Sequence, residues 1–294
     1  MAACTSCNLC GQSGTLEAAS EKGTVFCHVR QFAGMAFTVW RCANCNSLHC
    51  AEDADLPLFY SHYPLRKHKL DFPTRVFYRN RLRILEKHSI RKPARIIDYG
   101  CGTGAFVAFL NESGYKAAGY DAFIRAYKDK RVLDDQYDAV VSYDVIEHTD
   151  EPTHFISQIR ELARPESLIV LGTPNADHIS LSRKPADIEL SQPYHRHILS
   201  EKALIDLGRQ AGLRAVKVFH TNTSDSLIPG MSTRFMWTYI NNTGGMIDVA
   251  FEPLRLSTAL LSPNLLFYTF FGYFFPPRAN MVVVFRKEQA PMPA

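Results

Sequence analysis

No stretch of this 294-residue sequence is apolar for long enough to cross a membrane. The longest greasy run, Leu265 to Phe275, covers eleven residues between Pro263 and Pro276, and a helical span needs about 20. A strong charge of one sign is lacking too. Thirty-three Lys and Arg against 29 Asp and Glu leave a net charge of +4, so the overall balance makes no case for nucleic acid. Charged residues at 21% and hydrophobic residues at 46% exclude a disordered chain, a collagen and a bare coiled coil. Met1 to Gly14 contains no Lys or Arg and no apolar core of signal-peptide length, so a soluble, cytoplasmic protein is expected. Cysteine is almost absent after residue 50. Seven of the eight lie within the first 50 residues and only Cys101 lies beyond them. With no export signal, clustered Cys-x-x-Cys pairs read as metal ligands and not as a disulfide framework.

Three regions follow from composition: a Cys-rich head at 1–52, a basic connector at 53–93 and an α/β region at 94–288 with an aromatic insertion at 221–279. The head is too small to bury a sufficient core, and a structural metal would supply the missing stability. From His62 to Arg95, across the connector and just past it, eleven Lys and Arg stand against Asp71 and Glu86. From Ala94 the pattern alternates strand and helix. Strands are expected at 94–98, 115–121, 137–143, 167–172, 214–220 and 280–286, and helices at 103–113, 122–130, 152–163 and 200–211. Such alternation implies a mostly parallel sheet covered on both faces.

Ile96-Ile-Asp98-Tyr-Gly100-Cys101-Gly102-Thr-Gly104 is the most informative segment. A buried strand delivers the chain to a turn whose alternate glycines admit a ligand close to the backbone, and the next helix aims its N-terminal N–H groups at that ligand. A dinucleotide site and an S-adenosyl-L-methionine (SAM) site share this much, since Gly100-x-Gly102-x-x-Ala105 also fits the looser dinucleotide fingerprint. Asp98 separates them. A carboxylate two residues ahead of the first glycine repels a pyrophosphate and suits a ligand carrying an ammonium and a sulfonium. Asp121, at the end of the next strand, is placed for a ribose diol in either case.

On these residues the sequence resembles the class I SAM-dependent methyltransferases. Asp98-Tyr-Gly100-Cys-Gly102-Thr-Gly104 matches the family's D-x-G-x-G-x-G motif. Gly119-Tyr-Asp121 matches the acidic end of its second strand. Tyr137-Asp-Ala-Val-Val-Ser-Tyr-Asp-Val-Ile-Glu-His148 resembles its fourth-strand motif, and Thr173-Pro174-Asn175 the turn after its fifth. The resemblance spans about 94–220 and 280–287. It implies a Rossmann-like, seven-stranded SAM methyltransferase sheet. It also implies that Asp98 and the backbone from Gly100 through Cys101 and Gly102 to Gly104 hold the methionine end of SAM. Asp121, with Ala122 beside it, would hold the ribose hydroxyls, and Asp144, Val145 and Ile146 would lie near the methionine part. One departure stands out: only sixteen residues separate Asp121 from Asp138, so the third strand is cut short, with Asp134 and Asp135 as weak stand-ins for its adenine-contacting acid.

Cys7-x-x-Cys10 and Cys42-x-x-Cys45 form two knuckles 31 residues apart, the spacing of a tetrahedral structural Zn²⁺ site with no open position. Cys4 also forms a Cys-x-x-Cys with Cys7. Gly11 after Cys10 favours the Cys7–Cys10 register. Cys27, His28, His49 and Cys50 read as buried or loop residues. The layout of zinc module, Tyr- and His-bearing connector and SAM fold is similar to that of sugar C-methyltransferases, and Tyr60-Ser-His62-Tyr63-Pro64 resembles the connector that closes over their active site.

Methyl transfer from a sulfonium is an in-line displacement, and a hydroxyl or carbon acceptor must lose a proton. Histidine is the natural base near neutral pH. The candidates are His148 with its neighbour Glu147, then His195 and His197 before the helix at 200, then His62. The expected reaction is O- or C-methylation of a small molecule: a sugar, a nucleotide-sugar or a lipid-linked intermediate. The rivals are an RNA methyltransferase gripping phosphates with head and connector, and an inert zinc-binding interaction protein. The connector reads first as a solvated helix face with Tyr78, Leu82 and Leu85 turned inward. The phenylalanines at 267, 270, 271, 274 and 275 read first as buried core, second as a lid, and third as a membrane contact through 254–277.

Overall fold

The computed structural model describes residues 4–10, 14–64, 70–220 and 222–288. Gly11 and the basic residues Arg66, Lys67 and Lys69 lie outside them. The strands and α-helices begin with β1 (Glu21–Phe26), β2 (Ala36–Arg41), β3 (Leu48–Cys50), α1 (Leu56–Ser61) and α2 (Phe72–Lys87). Next come β4 (Arg95–Tyr99), α3 (Ala105–Glu112), β5 (Lys116–Tyr120), β6 (Tyr137–Tyr143), α4 (Pro152–Leu162) and β7 (Ala163–Pro174). The chain continues with β8 (His197–Ile198), α5 (Glu201–Gln210), β9 (Leu213–Phe219), α6 (Thr233–Asn242), α7 (Leu256–Leu261), α8 (Pro263–Phe271) and β10 (Asn280–Lys287).

The chain divides into two units that do not follow the expected linear order. The first takes the described residues of 1–68, 174–203 and 224–280, and the second those of 69–173, 204–223 and 281–294. The basic helix α2 therefore belongs with the α/β sheet, while 174–203 and the aromatic segment belong with the Cys-rich head.

The second unit is built on a sheet of order β5-β4-β6-β7-β10-β9. The pairs β4–β5, β4–β6 and β6–β7 are parallel, and β9–β10 is antiparallel. Consecutive residues such as Ile96 and Ile97, Val140 and Val141, and Ile169 and Val170 are fully buried, as a parallel sheet covered on both faces requires. Six strands pair where seven were expected. Between β5 and β6 the chain makes two 3-10 turns, Arg125–Tyr127 and Lys130–Leu133, in place of the helix expected at 122–130. The Asp121 and Asp129 carboxylates accept nearby backbone N–H groups. Short acidic side chains compete in this way with helical hydrogen bonds. Helix α2 starts where the Asp71 side chain caps Thr74 N–H at 3.0 Å. Its Tyr78, Leu82 and Leu85 are buried and pack into the core with Phe106, Phe109 and Leu110 of α3.

The first unit carries a small sheet of order β1-β2-β3-β8, antiparallel throughout. Arg41 ties the later segment to this head. Its guanidinium donates to the carbonyls of Asn46, Ala176 and Ile179 and pairs with Glu21 at 2.9 Å. The aromatic segment is helical, as its length suggested, but the five phenylalanines from 267 to 275 are not core. On α8 only Leu265 is buried, against Phe235, Tyr239, Ile240 and Val249. Phe267, Phe270, Phe271, Phe274 and Phe275 are exposed.

Candidate functional site

Strand β4 has β5 on one side and β6 on the other, so its C-terminal end is the point at which strand order reverses, where open α/β sheets bind ligands. The loop there runs from Gly100 to Gly104. Gly100, Gly102 and Gly104 have φ of +81°, +54° and +77°, a region other residues enter only at a cost. Each glycine has its own steric reason. A Cβ on Gly100 would collide with Val145, and one on Gly104 with Tyr127, whereas one on Gly102 would meet nothing within 4 Å. The middle of the loop is thus an open cradle.

Asp98 closes the strand below this loop and is buried. Burial pushes its carboxyl up to about 7. The Arg81 guanidinium pulls it down, and the Asp121 charge raises it further. Asp121 is bound to the loop itself: its carboxylate accepts from Gly102 N–H at 2.9 Å and from the N–H groups of Phe123 and Ile124 at 2.8 and 2.9 Å. Three of its roughly four acceptor positions are therefore taken. Ala122 follows in the same turn. The Cys101 thiol points toward the Gly102 carbonyl at 3.9 Å, and burial raises its pKa.

After β6 the chain turns sharply. Asp144 adopts φ +57°, and its N–H donates to Gly172 O at 2.8 Å. A non-glycine residue in the left-handed region often marks a functional turn. Val145 packs on Gly100 and Ile146 is buried. Glu147 is buried as well. Its Oε2 accepts from Thr173 Oγ1 at 3.0 Å, and Oε1 has no partner among the described residues. Burial, with the Asp144 charge, holds its carboxyl protonated well above the usual range. His148 ends the 3-10 turn Ile146–His148, partly exposed, its N–H on Val145 O at 3.0 Å.

Arg81 was hidden in the sequence within a run of like charges. On α2, Arg75, Arg79, Arg83 and Lys87 are exposed, but the Arg81 side chain is only 11% exposed. Its guanidinium lies 3.7 Å from the Tyr143 ring centre and 4.2 Å from that of Phe77. It also lies 3.5 Å from Asp144 and donates to Thr223 Oγ1 at 3.3 Å.

In the first unit, His195 donates from Nδ1 to Glu189 O at 2.6 Å. A carbonyl only accepts, so in the neutral ring Nε2 is the nitrogen with the lone pair. Tyr194 beside it forms ring contacts with Tyr60 and Tyr63, and its hydroxyl donates to Phe59 O at 3.0 Å. His197 is different. It is buried in β8, paired with His49 of β3, which makes it part of the sheet framework and removes it from the candidate bases.

Cys7, Cys10, Cys42 and Cys45 converge, their sulfurs all within 4.8 Å of one another. Separations of 3.7 Å (Cys7–Cys45), 3.6 Å (Cys7–Cys10) and 4.0 Å (Cys10–Cys42) match the edge of about 3.8 Å that a tetrahedron of Zn–S bonds near 2.3 Å would have. Cys4 stands apart from the four, its thiol on Ser6 O and 3.9 Å from His49 Nδ1. Gly14 is required beside the cluster, because a Cβ there would run into Cys42 Sγ.

Comparison with known proteins gives the family. Residues 67–218 match the family model described as a methyltransferase domain. A ubiquinone biosynthesis O-methyltransferase from Dinoroseobacter shibae is 26% identical over 176 residues, 50% of this chain and 71% of that protein. Among solved structures, a SAM-dependent methyltransferase from Archaeoglobus fulgidus aligns over 80% of this chain and 100% of its own, with 17% identity and a TM-score of 0.45. The 1,6-didemethyltoxoflavin-N1-methyltransferase of Burkholderia thailandensis, solved with S-adenosylhomocysteine, covers 86% and 96%, with 15% identity and a TM-score of 0.43. The chain belongs to the methyltransferase-domain family. It is a SAM-dependent methyltransferase.

Proposed function

We propose that this enzyme moves the methyl group of SAM in line onto a hydroxyl, or an acidic carbon, of a small sugar-bearing or lipid-linked acceptor. The observation that carries the reading is a buried carboxylate, Asp98, beneath a glycine cradle left open at Gly102. A buried anion asks for a cationic partner, and the ammonium of the methionine moiety is one. Its carboxylate has a counterpart in the Arg81 guanidinium. Gly100, Cys101, Gly102 and Gly104 line the backbone approach, with Asp144, Val145 and Ile146 opposite. Asp121 retains room for one ribose hydroxyl, with Ala122 beside it.

His148 is the proposed base, with His195 Nε2 as the second choice. The base takes the acceptor proton as the acceptor atom bonds the methyl carbon. The S–CH₃ bond breaks with its electron pair left on sulfur, and S-adenosylhomocysteine results. Glu147 and His197 act only by holding their segments in place. An oxygen acceptor accords with the named activity of the Dinoroseobacter relative. The RNA reading is weakened by Tyr78, which is buried, and Phe77, which is covered by Arg81: neither ring is free to stack a base.

The four cysteines would hold one Zn²⁺, whose role is to lock the head and not to touch the acceptor. Isothermal calorimetry tests the cofactor assignment. Asp98→Ala is expected to weaken SAM binding about 100-fold or more, the usual cost of stranding one partner of a buried charge pair. Unchanged affinity in a folded variant would overturn it.

A further inference from the structure

We propose that α8 and the turn after it form a docking surface for an anionic phospholipid bilayer. Most helices on a protein surface bury their apolar face and show water a polar one. Here the order is inverted. Only Leu265 is buried, while Leu266, Phe267, Phe270 and Phe271 are exposed, and the turn adds Tyr273, Phe274 and Phe275. Phe270 and Phe274 are the most open of these aromatic rings, at 62% and 63%. Several of the rings touch: Phe267 lies 5.0 Å from Phe271 and 5.7 Å from Phe275 between ring centres, and Tyr273 lies 5.6 Å from Phe274. Gly272 holds the turn against α6, where a Cβ would collide with Ser232, so the patch sits on a fixed support.

Contiguous exposed apolar surface of this kind marks an interaction site. Charge identifies the occupant. No Asp or Glu occurs from Pro253 to Lys287. Arg255 and Arg278 flank the patch in sequence and are exposed; Arg255 pairs with Glu252 at 3.5 Å, whereas Arg278 forms no ion pair among the described residues. Aromatic rings seated at headgroup depth with arginines beside them are the composition of an interfacial anchor. Neither α8 nor any other described helix is long and apolar enough to cross the bilayer, so the contact is peripheral.

Vesicle flotation of the full chain tests this without substrate or cofactor. The protein is expected to float with vesicles of phosphatidylcholine containing about one-third phosphatidylglycerol, and less with phosphatidylcholine alone. Phe270→Ser/Phe274→Ser removes two exposed rings and should lower partitioning at least ~tenfold, with SAM affinity unchanged as the check on folding. Arg278→Ser should lower the preference for anionic vesicles about fivefold. Absence of flotation with either composition would overturn the proposal, as would a double variant that floats like the wild type. A dimer that dissociates in the double variant, with no vesicle binding by the wild type, would assign the patch to a second copy instead.

Discussion

The loop after β4 and the cysteine knuckles both depend on glycine in a tight space, yet an added methyl group would meet opposite surroundings in the two. Above Gly102 there is nothing within 4 Å, while at Gly14 the Cys42 sulfur is already in the way. The first is a surface kept clear for something that comes and goes. The second is a closed packing of four sulfurs that leaves no place for a substrate. The charged groups follow the same division. Asp98 is buried, its carboxyl raised to about 7 despite the Arg81 guanidinium, so it gains from a cation that arrives. Cys45 is supplied from within the chain, its sulfur 3.7 Å from that of Cys7 and grouped with those of Cys10 and Cys42.

The largest test of this contrast is removal of the metal. Elemental analysis is expected to find about one zinc per chain, and stripping it, or making Cys42→Ser, should unfold the first unit. Structural zinc contributes about 10–16 kcal/mol in small domains, as much as a whole domain's usual margin of about 5–15 kcal/mol. A metal-free protein with an unaltered melting profile would erase the distinction between the two regions.

A smaller effect concerns pH. With an ionised Asp98 as the proposed partner of the SAM ammonium, affinity should fall about tenfold for each unit below pH 7. The sign for stability is opposite. Because the folded carboxyl binds its proton more tightly than the unfolded one, the unliganded protein should lose stability as pH rises from about 4 to 7. Asp98→Asn should flatten both profiles, read by calorimetry and thermal melts. The smallest effect is a methyl exchange. Gly102→Ala should weaken SAM binding about tenfold, for a left-handed alanine costs about 1–2 kcal/mol, and leave the zinc content intact. Gly14→Ala should do the reverse.

Local chemistry was legible in the sequence where it decides local structure. β6 runs over the seven residues that its apolar pattern marked, Tyr137–Tyr143, and β4 differs by a single position at each end. The four zinc-spaced cysteines lie together. What escaped depends on direction or on long-range partners. Periodicity places Phe267, Phe270, Phe271 and Phe274 on one side of a helix but does not say whether that side faces in or out. Arg81 has the same residue type as its exposed neighbours and differs only in pointing at Tyr143. Residues 174–203 follow the α/β motif in sequence, but Arg41 captures their carbonyls for the other unit. The position of His197 in the Cys-rich sheet has the same origin.

The second knuckle has a further effect on the segment that bears His195. Cys45 O accepts from Ser200 Oγ, the Ser47 hydroxyl accepts from Ser200 N–H, and Arg41, next to Cys42, holds Ala176 and Ile179. Both ends of the stretch containing His195 are thus moored within a few residues of the thiolates. Chelators or oxidants that reach those sulfurs should therefore loosen residues 176–200, read as faster amide hydrogen exchange there, so that injury to the head is felt well beyond the knuckles themselves.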